Sequence, residues 1–182
     1  MDKSMFIKTL ENNEVNIKNS KFLNCSYFLK VGESYSSIQN KVSIDNCDII
    51  NCSDNFLLIY GMCKFVNNRI VQDKDINGKE SIEYKNISND DEVLEKNLIS
   101  NNQFEDNRIN TKKQSKIHLQ IENAKVINCV FKNINKKDES SIIEIGNAEI
   151  ENCKFENCQN ILSDSIEEKI IINNCIFNNC TN

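Results

Sequence analysis

Apolar and polar residues alternate along many short stretches of this chain. Ser115-Lys116-Ile117-His118-Leu119-Gln120-Ile121 does so, and so does Ser141-Ile142-Ile143-Glu144-Ile145. A period of two predicts strands, because successive side chains leave a strand on opposite faces. No segment has a convincing helical period of 3.6. Residue choice points the same way. Ile supplies most apolar positions and is β-branched, while the abundant Asn is a poor helix former.

The alternation is organised by a nine-residue phrase. Ile172-Asn173-Asn174-Cys175-Ile176-Phe177-Asn178-Asn179-Cys180 is nearly repeated as Ile150-Glu151-Asn152-Cys153-Lys154-Phe155-Glu156-Asn157-Cys158. Centring on the Phe, eight copies align, with centres Phe22, Ile49, Phe65, Ile87, Phe104, Val126, Phe155 and Phe177. The spacing averages about 22 residues, a period that marks a solenoid. Such a unit goes once around a small triangular section with three short strands, and stacked coils bring like positions about 4.8 Å apart. Phe is then expected on Phe and Asn on Asn.

Asn tolerates the left-handed conformation that tight bends need. Asn24, Asn51, Asn67, Asn89, Asn128, Asn157 and Asn179, two after each centre, are therefore read as an inward turn ladder, with Asp106 taking the place in the fifth copy. Asn19, Asn46, Asn101, Asn123, Asn152 and Asn174, three before the centre, form a second and less complete ladder. The nine cysteines fall in two columns. Cys47, Cys63, Cys153 and Cys175 precede the centre by two, and Cys25, Cys52, Cys129, Cys158 and Cys180 follow it by three.

The phrase resembles the I-x-N-C-x-Φ-x-N-N runs of the pectin-lyase-like β-helix superfamily. More loosely, it is similar to the polymorphic outer-membrane-protein and adhesin-like β-helix repeats, although their Gly-Gly-Ala-Ile element is missing. The resemblance spans about residues 15–180. The expected fold is all-β, a right-handed parallel β-helix solenoid of about eight coils over residues 15–182. Residues 1–14 form an N-terminal segment, as a partial coil or cap, and irregular loops fall near 26–41, 69–81 and 132–141. A leucine-rich repeat is the alternative, with a compatible period and an Asn or Cys ladder, but Leu is sparse and no helical segment is evident.

Composition narrows the function classes. The net charge of −5 argues against a nucleic-acid partner. The first ten residues lack the apolar core of a signal peptide, and no run approaches the roughly 18 apolar residues of a membrane span. The chain reads either as cytosolic or unusually exported, or as part of a longer chain whose signal lies upstream.

Candidate chemistry is sparse. Cys47/Cys52, Cys153/Cys158 and Cys175/Cys180 are C-x4-C pairs, but a five-residue step in a strand divides the two side chains, and zinc sites favour shorter steps with His partners. Small buried thiols packing as hydrophobes are the expected reading, with neither metal nor cofactor. Nine thiols without an obvious pairing suit a reducing setting. In an oxidising one, Cys153–Cys175 and Cys158–Cys180 are the candidate bridges. The sequons Asn24-Cys25-Ser26, Asn51-Cys52-Ser53 and Asn179-Cys180-Thr181 use ladder residues, which leaves Asn86-Ile87-Ser88 as the plausible glycan acceptor. Asp73-Lys74-Asp75 and Asn89-Asp90-Asp91-Glu92 are the best carboxylate clusters and read as solvated loop charge; calcium would need further oxygen ligands. Lys112-Lys113, Lys136-Lys137 and His118 are expected to face solvent.

Three functions follow as expectations. The resemblance implies a non-catalytic, adhesin-like module presenting a solenoid face to carbohydrate or protein at the cell surface. A polysaccharide lyase or hydrolase of the same fold is the alternative, distinguished by carboxylates and a basic residue converging on one outward face. The third is a structural spacer in a larger surface protein, supported by the absence of an obvious cap after the last repeat.

Overall fold

The structure is a computed structural model. It describes residues 7–9, 14–26, 28–31, 40–52, 57–60, 62–75, 82–85, 97–108, 115–136, 141–164 and 170–181. Every regular element among them is a strand, and every strand pairing is parallel. Equivalent positions on neighbouring strands lie 19 to 37 residues apart in sequence. Each circuit of chain therefore returns onto the one before it. The arrangement is consistent with a β-solenoid.

One sheet has seven strands, Lys21–Leu23, Asp48–Ile50, Arg69–Gln72, Gln103–Asp106, Val130–Lys132, Lys154–Glu156 and Ile176–Asn178, stacked in chain order. The other has twelve strands in two parallel rows. Leu119–Ile127 and Ile143–Glu151 run through both rows and join them. One row comprises Ile7–Thr9, Leu29–Val31, Leu57–Tyr60, Ile82–Lys85 and Leu162–Asp164 with the first parts of the two long strands. The second comprises Glu14–Lys18, Lys41–Asp45, Met62–Val66, Asn97–Ser100 and Ile170–Asn173 with their last parts.

The register corrects the alignment of the phrase. In the seven-stranded sheet one column reads Phe22, Ile49, Ile70, Phe104, Phe131, Phe155, Phe177. Phe65 and Val126 stand in the other sheet, in the column Ile17, Ile44, Phe65, Ile99, Val126, Ile150, Ile172. Ile87 and Asn89, with most of the weakest copy, lie outside the described residues. The stretch read as a loop from residue 69 begins with the strand Arg69–Gln72, and the stretch 26–41 contains Leu29–Val31.

Both columns are buried along most of their length. Phe104, Phe131 and Phe155 are fully enclosed, and their rings stack nearly parallel at 4.7 Å, with Phe177 following at 5.0 Å. Each buried aromatic or aliphatic side chain of this kind is worth about 1.5–3 kcal/mol in transfer free energy. At the ends the columns open. Phe177 is 45% exposed and Ile172 44%.

Candidate functional site

A corner separates the second row of the twelve-stranded sheet from the seven-stranded sheet. Asn19, Asn46, Asn67, Asn101, Asn128, Asn152 and Asn174 occupy it, all with φ between 50° and 56°. The corner after the seven-stranded sheet holds Asn24, Asn51, Asn133, Asn157 and Asn179 in the same left-handed conformation. Asn meets this demand at lower cost than other non-glycine residues. Asn67 and Asn128 thus belong to the first corner, and Asn133 is a member that sequence reading missed. Asn123 lies within the strand Leu119–Ile127 and takes no part in a corner.

These amides face outward. Residues at both corners are exposed, apart from the half-buried Asn51. Asn46 Nδ2 donates to Asn19 Oδ1 at 2.8 Å, Asn128 to Asn101 at 3.2 Å, Asn174 to Asn152 at 2.6 Å and Asn179 to Asn157 at 2.9 Å. The inward ladder expected from the sequence is an external one. The position facing inward is the next residue.

That inward position explains the cysteines. At the first corner it holds Cys47, Asn68, Asn102, Cys129, Cys153 and Cys175; at the second it holds Cys25, Cys52, Cys158 and Cys180. Cys129 and Cys63 change place relative to the sequence alignment: Cys63 stands beside Val42 inside the strand Met62–Val66. Cys153 Sγ donates to Val126 O at 3.4 Å and Cys158 Sγ to Phe131 O at 3.4 Å, so each thiol ties one circuit to its predecessor. Asn68 and Asn102 do the same with Nδ2, to Ile44 O and Phe65 O. Their Oδ1 atoms also accept the backbone N–H groups of Cys47 and Asn68. Burial pushes the Cys52 thiol up to about 12 and Cys158 up to about 11. Cys153, held by the Cys129 thiol and by burial, is also raised. These are inert protonated thiols rather than nucleophiles. All nine are unbridged. No group of His, Cys, Asp and Glu among the described residues has the arrangement of a metal site.

Outside the first corner runs an open groove of about 360 Å³, lined by Asn19, Ser20, Lys21, Asn46, Cys47, Asp48, Asn67 and Arg69. Strand pairing sets its charges in one row, Lys21 beside Asp48 beside Arg69, next to the amide row. Lys21 and Arg69 are exposed, and Asp48 is half-buried. The parallel stack gives this groove a repeat equal to the strand spacing, about 4.8 Å. It offers amide donors, amide acceptors and both charge signs on a flat surface.

The Asp73-Lys74-Asp75 stretch is the other place where chemistry gathers. Arg108 Nε and Nη2 donate to the two carboxylate oxygens of Asp106 at 2.9 and 2.6 Å, and Nη1 donates to Asp75 at 2.6 Å. The Arg108 and Asp106 side chains are both 4% exposed. Burial works against the Arg108 charge, yet the hydrogen bonds from Asp106 and Asp75 hold its pKa above the ordinary value. Asp106 is thus a buried ion-pair partner and not a ladder Asn. Gln72 Oε1 accepts from Lys116 N and Ser115 Oγ, which ties this corner to the next segment. Here carboxylates and a base do converge, but they satisfy one another.

Two further expectations are corrected. His118 is 7% exposed, between buried Ile117 and Leu119, with Nδ1 2.9 Å from Ser141 O. Lys136 is fully buried and its carbonyl accepts from Asn160 Nδ2. Alternation misled at His118 because Ile117, His118 and Leu119 are buried in succession, so that stretch is covered on both faces. Sequon residues Asn24 and Asn179 are exposed rather than inward. Asn86, Asn89-Asp90-Asp91-Glu92, Lys112-Lys113 and Lys137 lie outside the described residues. No helix in the described residues is long and apolar enough to cross a membrane. Compared with known proteins, the chain matches no family model, no curated protein and no solved structure.

Proposed function

We propose that the chain is a right-handed parallel β-helix of the pectin-lyase-like type, and that it acts as a non-catalytic, adhesin-like module presenting its first-corner groove to carbohydrate. The observation that carries this reading is the row of exposed Asn19, Asn46 and Asn67 amides beside Lys21, Asp48 and Arg69. Sugar hydroxyls both donate and accept, and a flat surface of amides and charges meets both needs. A long solenoid face repeats such positions along an extended ligand.

The ion-pair cluster favours binding over hydrolysis. Glycoside cleavage needs one carboxyl free to protonate and another free to attack or activate water. The Asp106 carboxylate is engaged at both oxygens by Arg108, which also holds Asp75.

Calorimetric titration with neutral and uronic-acid oligosaccharides tests the reading. Binding is expected, and Arg69→Ala should weaken it at least tenfold, about 1.4 kcal/mol. Absence of binding to every glycan class contradicts the carbohydrate assignment. Release of new sugar ends from polygalacturonate contradicts the non-catalytic one.

A further inference from the structure

Three thiols follow one another in the inward column of the first corner, and the first two meet across the longest strand pair. Leu119–Ile127 and Ile143–Glu151 keep one register to their ends, with Ile127 beside Glu151, and the next strands resume it with Val130 beside Lys154. Cys129 therefore stands beside Cys153, and Cys175 follows in the next circuit. The sequence alignment sets Cys129 in the other cysteine column, so this neighbourhood is visible only in the structure. Paired positions on neighbouring strands lie about 4.8 Å apart, inside the Cα separation of about 4.4–6.8 Å that a disulfide spans.

The Cys153 sulfur already lies against Cys129. It accepts the Cys129 backbone N–H at 3.4 Å. Its own S–H is within reach of Glu151 O at 3.3 Å and Val126 O at 3.4 Å. A thiol is a weak donor, so giving up those bonds costs little, and a bridged Cys153 sulfur still accepts the Cys129 N–H. On the other side, Asn102 Nδ2 donates to Cys129 Sγ at 3.9 Å. Hydrogen bonds from the Cys153 thiol and from Asn102 hold the Cys129 pKa below its ordinary value against the effect of burial. Cys129 is thus the thiol of the pair that reacts as a thiolate, and protonated Cys153 is the one that answers it. Both are buried in the core.

We propose that Cys129 and Cys153 form a dithiol–disulfide couple, a covalent modification site that ties two successive circuits together in an oxidising setting and releases them in a reducing one. Because both sulfurs are buried, the oxidant is a small one, of the peroxide class. Cys129 Sγ attacks one peroxide oxygen as the thiolate. The O–O bond breaks, Cys129 becomes a sulfenic acid, and hydroxide leaves to take up the proton that Cys129 lost. Cys153 Sγ then attacks the Cys129 sulfur. The S–S bond forms, the S–O bond breaks, and the oxygen leaves as water with the Cys153 proton. Two thiols and one peroxide give one disulfide and two waters. The bridge spans 24 positions of sequence, so it restricts the unfolded chain and stabilises the folded stack. Cys175 stands on the other side of Cys153, and one bridge at Cys153 excludes the other.

The experiment treats the full chain with hydrogen peroxide under native conditions, alkylates the remaining thiols and maps tryptic peptides by mass spectrometry. Trypsin cuts after Lys125, Lys132, Lys137 and Lys154, so the bridge joins residues 126–132 to residues 138–154. That linked pair is expected as the main product. It should disappear with dithiothreitol, and Cys175→Ala should form it as before. The oxidised chain should unfold at a higher urea concentration than the reduced chain, and Cys153→Ala should abolish the difference. Should Cys153→Ala fail to fold, the peptide map of the unsubstituted chain decides alone. A main product joining residues 138–154 to the peptide that holds Cys175 overturns the proposal. So does a bridge that forms only in urea, or the absence of any bridge from a natively folded chain after prolonged peroxide treatment.

Discussion

At the scale of single residues, one backbone feature decides where everything points. A corner Asn with φ near 55° interrupts the alternation of the strand before it. In the circuit containing Phe155, that ring is buried, Glu156 is half-exposed, Asn157 is exposed and Cys158 is buried. Strict period two would have put Asn157 inside and Cys158 outside. The sequence thus shows that Asn builds the turns, but counting by two assigns the wrong face to it. Asn157→Ala is expected to cost about 1–2 kcal/mol, the penalty of the left-handed conformation, while Asn157→Gly should cost clearly less. Urea unfolding of the two variants checks the difference. The buried thiols give a pH dependence. Their folded pKa values are raised, so the unfolded chain loses its thiol protons first. Stability contributed by Cys52 and Cys158 is complete below the ordinary value of 9.0 and is lost as pH rises toward about 12 and about 11. Thermal melts should fall progressively above pH 9, and Cys52→Ala with Cys158→Ala should flatten that fall.

At the scale of elements, the seven-stranded sheet is a stack of short strands with one ring column. Strands of three or four residues are too short to be stable singly, and the column supplies what they lack. Phe155→Ala, with rings on both sides, should cost about 3–5 kcal/mol. Phe177→Ala, half-exposed, should cost markedly less in dilute solution. Denaturant titration of both variants measures the contrast. This column is also where sequence reading slipped. Most circuits contain an apolar residue followed by Asn two positions later at both corners, as in Ile17-Lys18-Asn19 and Phe22-Leu23-Asn24; Gln72 and Asp106 are the exceptions at the second corner. A shift of five residues exchanges one corner for the other. Phe65-Val66-Asn67 and Val126-Ile127-Asn128 were drawn into the ring column in this way, and Ile70 and Phe131 were passed over. Aromatic identity pulled Phe65 toward the other rings, but pairing register, which follows position in the circuit, sets it beside Ile44 and Ile99.

At the scale of the whole molecule, the repeat was legible and the departures from it were not. Parallel stacking, buried cysteines and Asn side-chain hydrogen bonds all follow from the spacing of the phrase. The cluster of Gln72, Asp75, Asp106, Arg108 and Ser115 follows from no repeat, because its members lie up to 43 residues apart and meet only when two irregular corners are stacked. It braces the middle of the stack. Arg108→Met leaves the Asp106 carboxylate buried without its partner and should destabilise the protein by about 3–5 kcal/mol. Adding Asp106→Leu to that variant should recover most of the loss, as a double-mutant cycle would show. His118 and Lys136 teach the same lesson. Their burial depends on what covers them from neighbouring segments, which no local pattern encodes.

The central claim is the register of the stack, on which the outward amide rows and the groove depend. Solution NMR with selectively labelled Phe and Ile side chains reads it directly, through nuclear Overhauser contacts between residues of successive circuits. Phe131 should contact both Phe104 and Phe155, and Phe65 should contact Ile44 and Ile99. Contacts of Phe65 with Ile49 and Phe104, or of Val126 with Phe104 and Phe155 as successive members of one column, would contradict it.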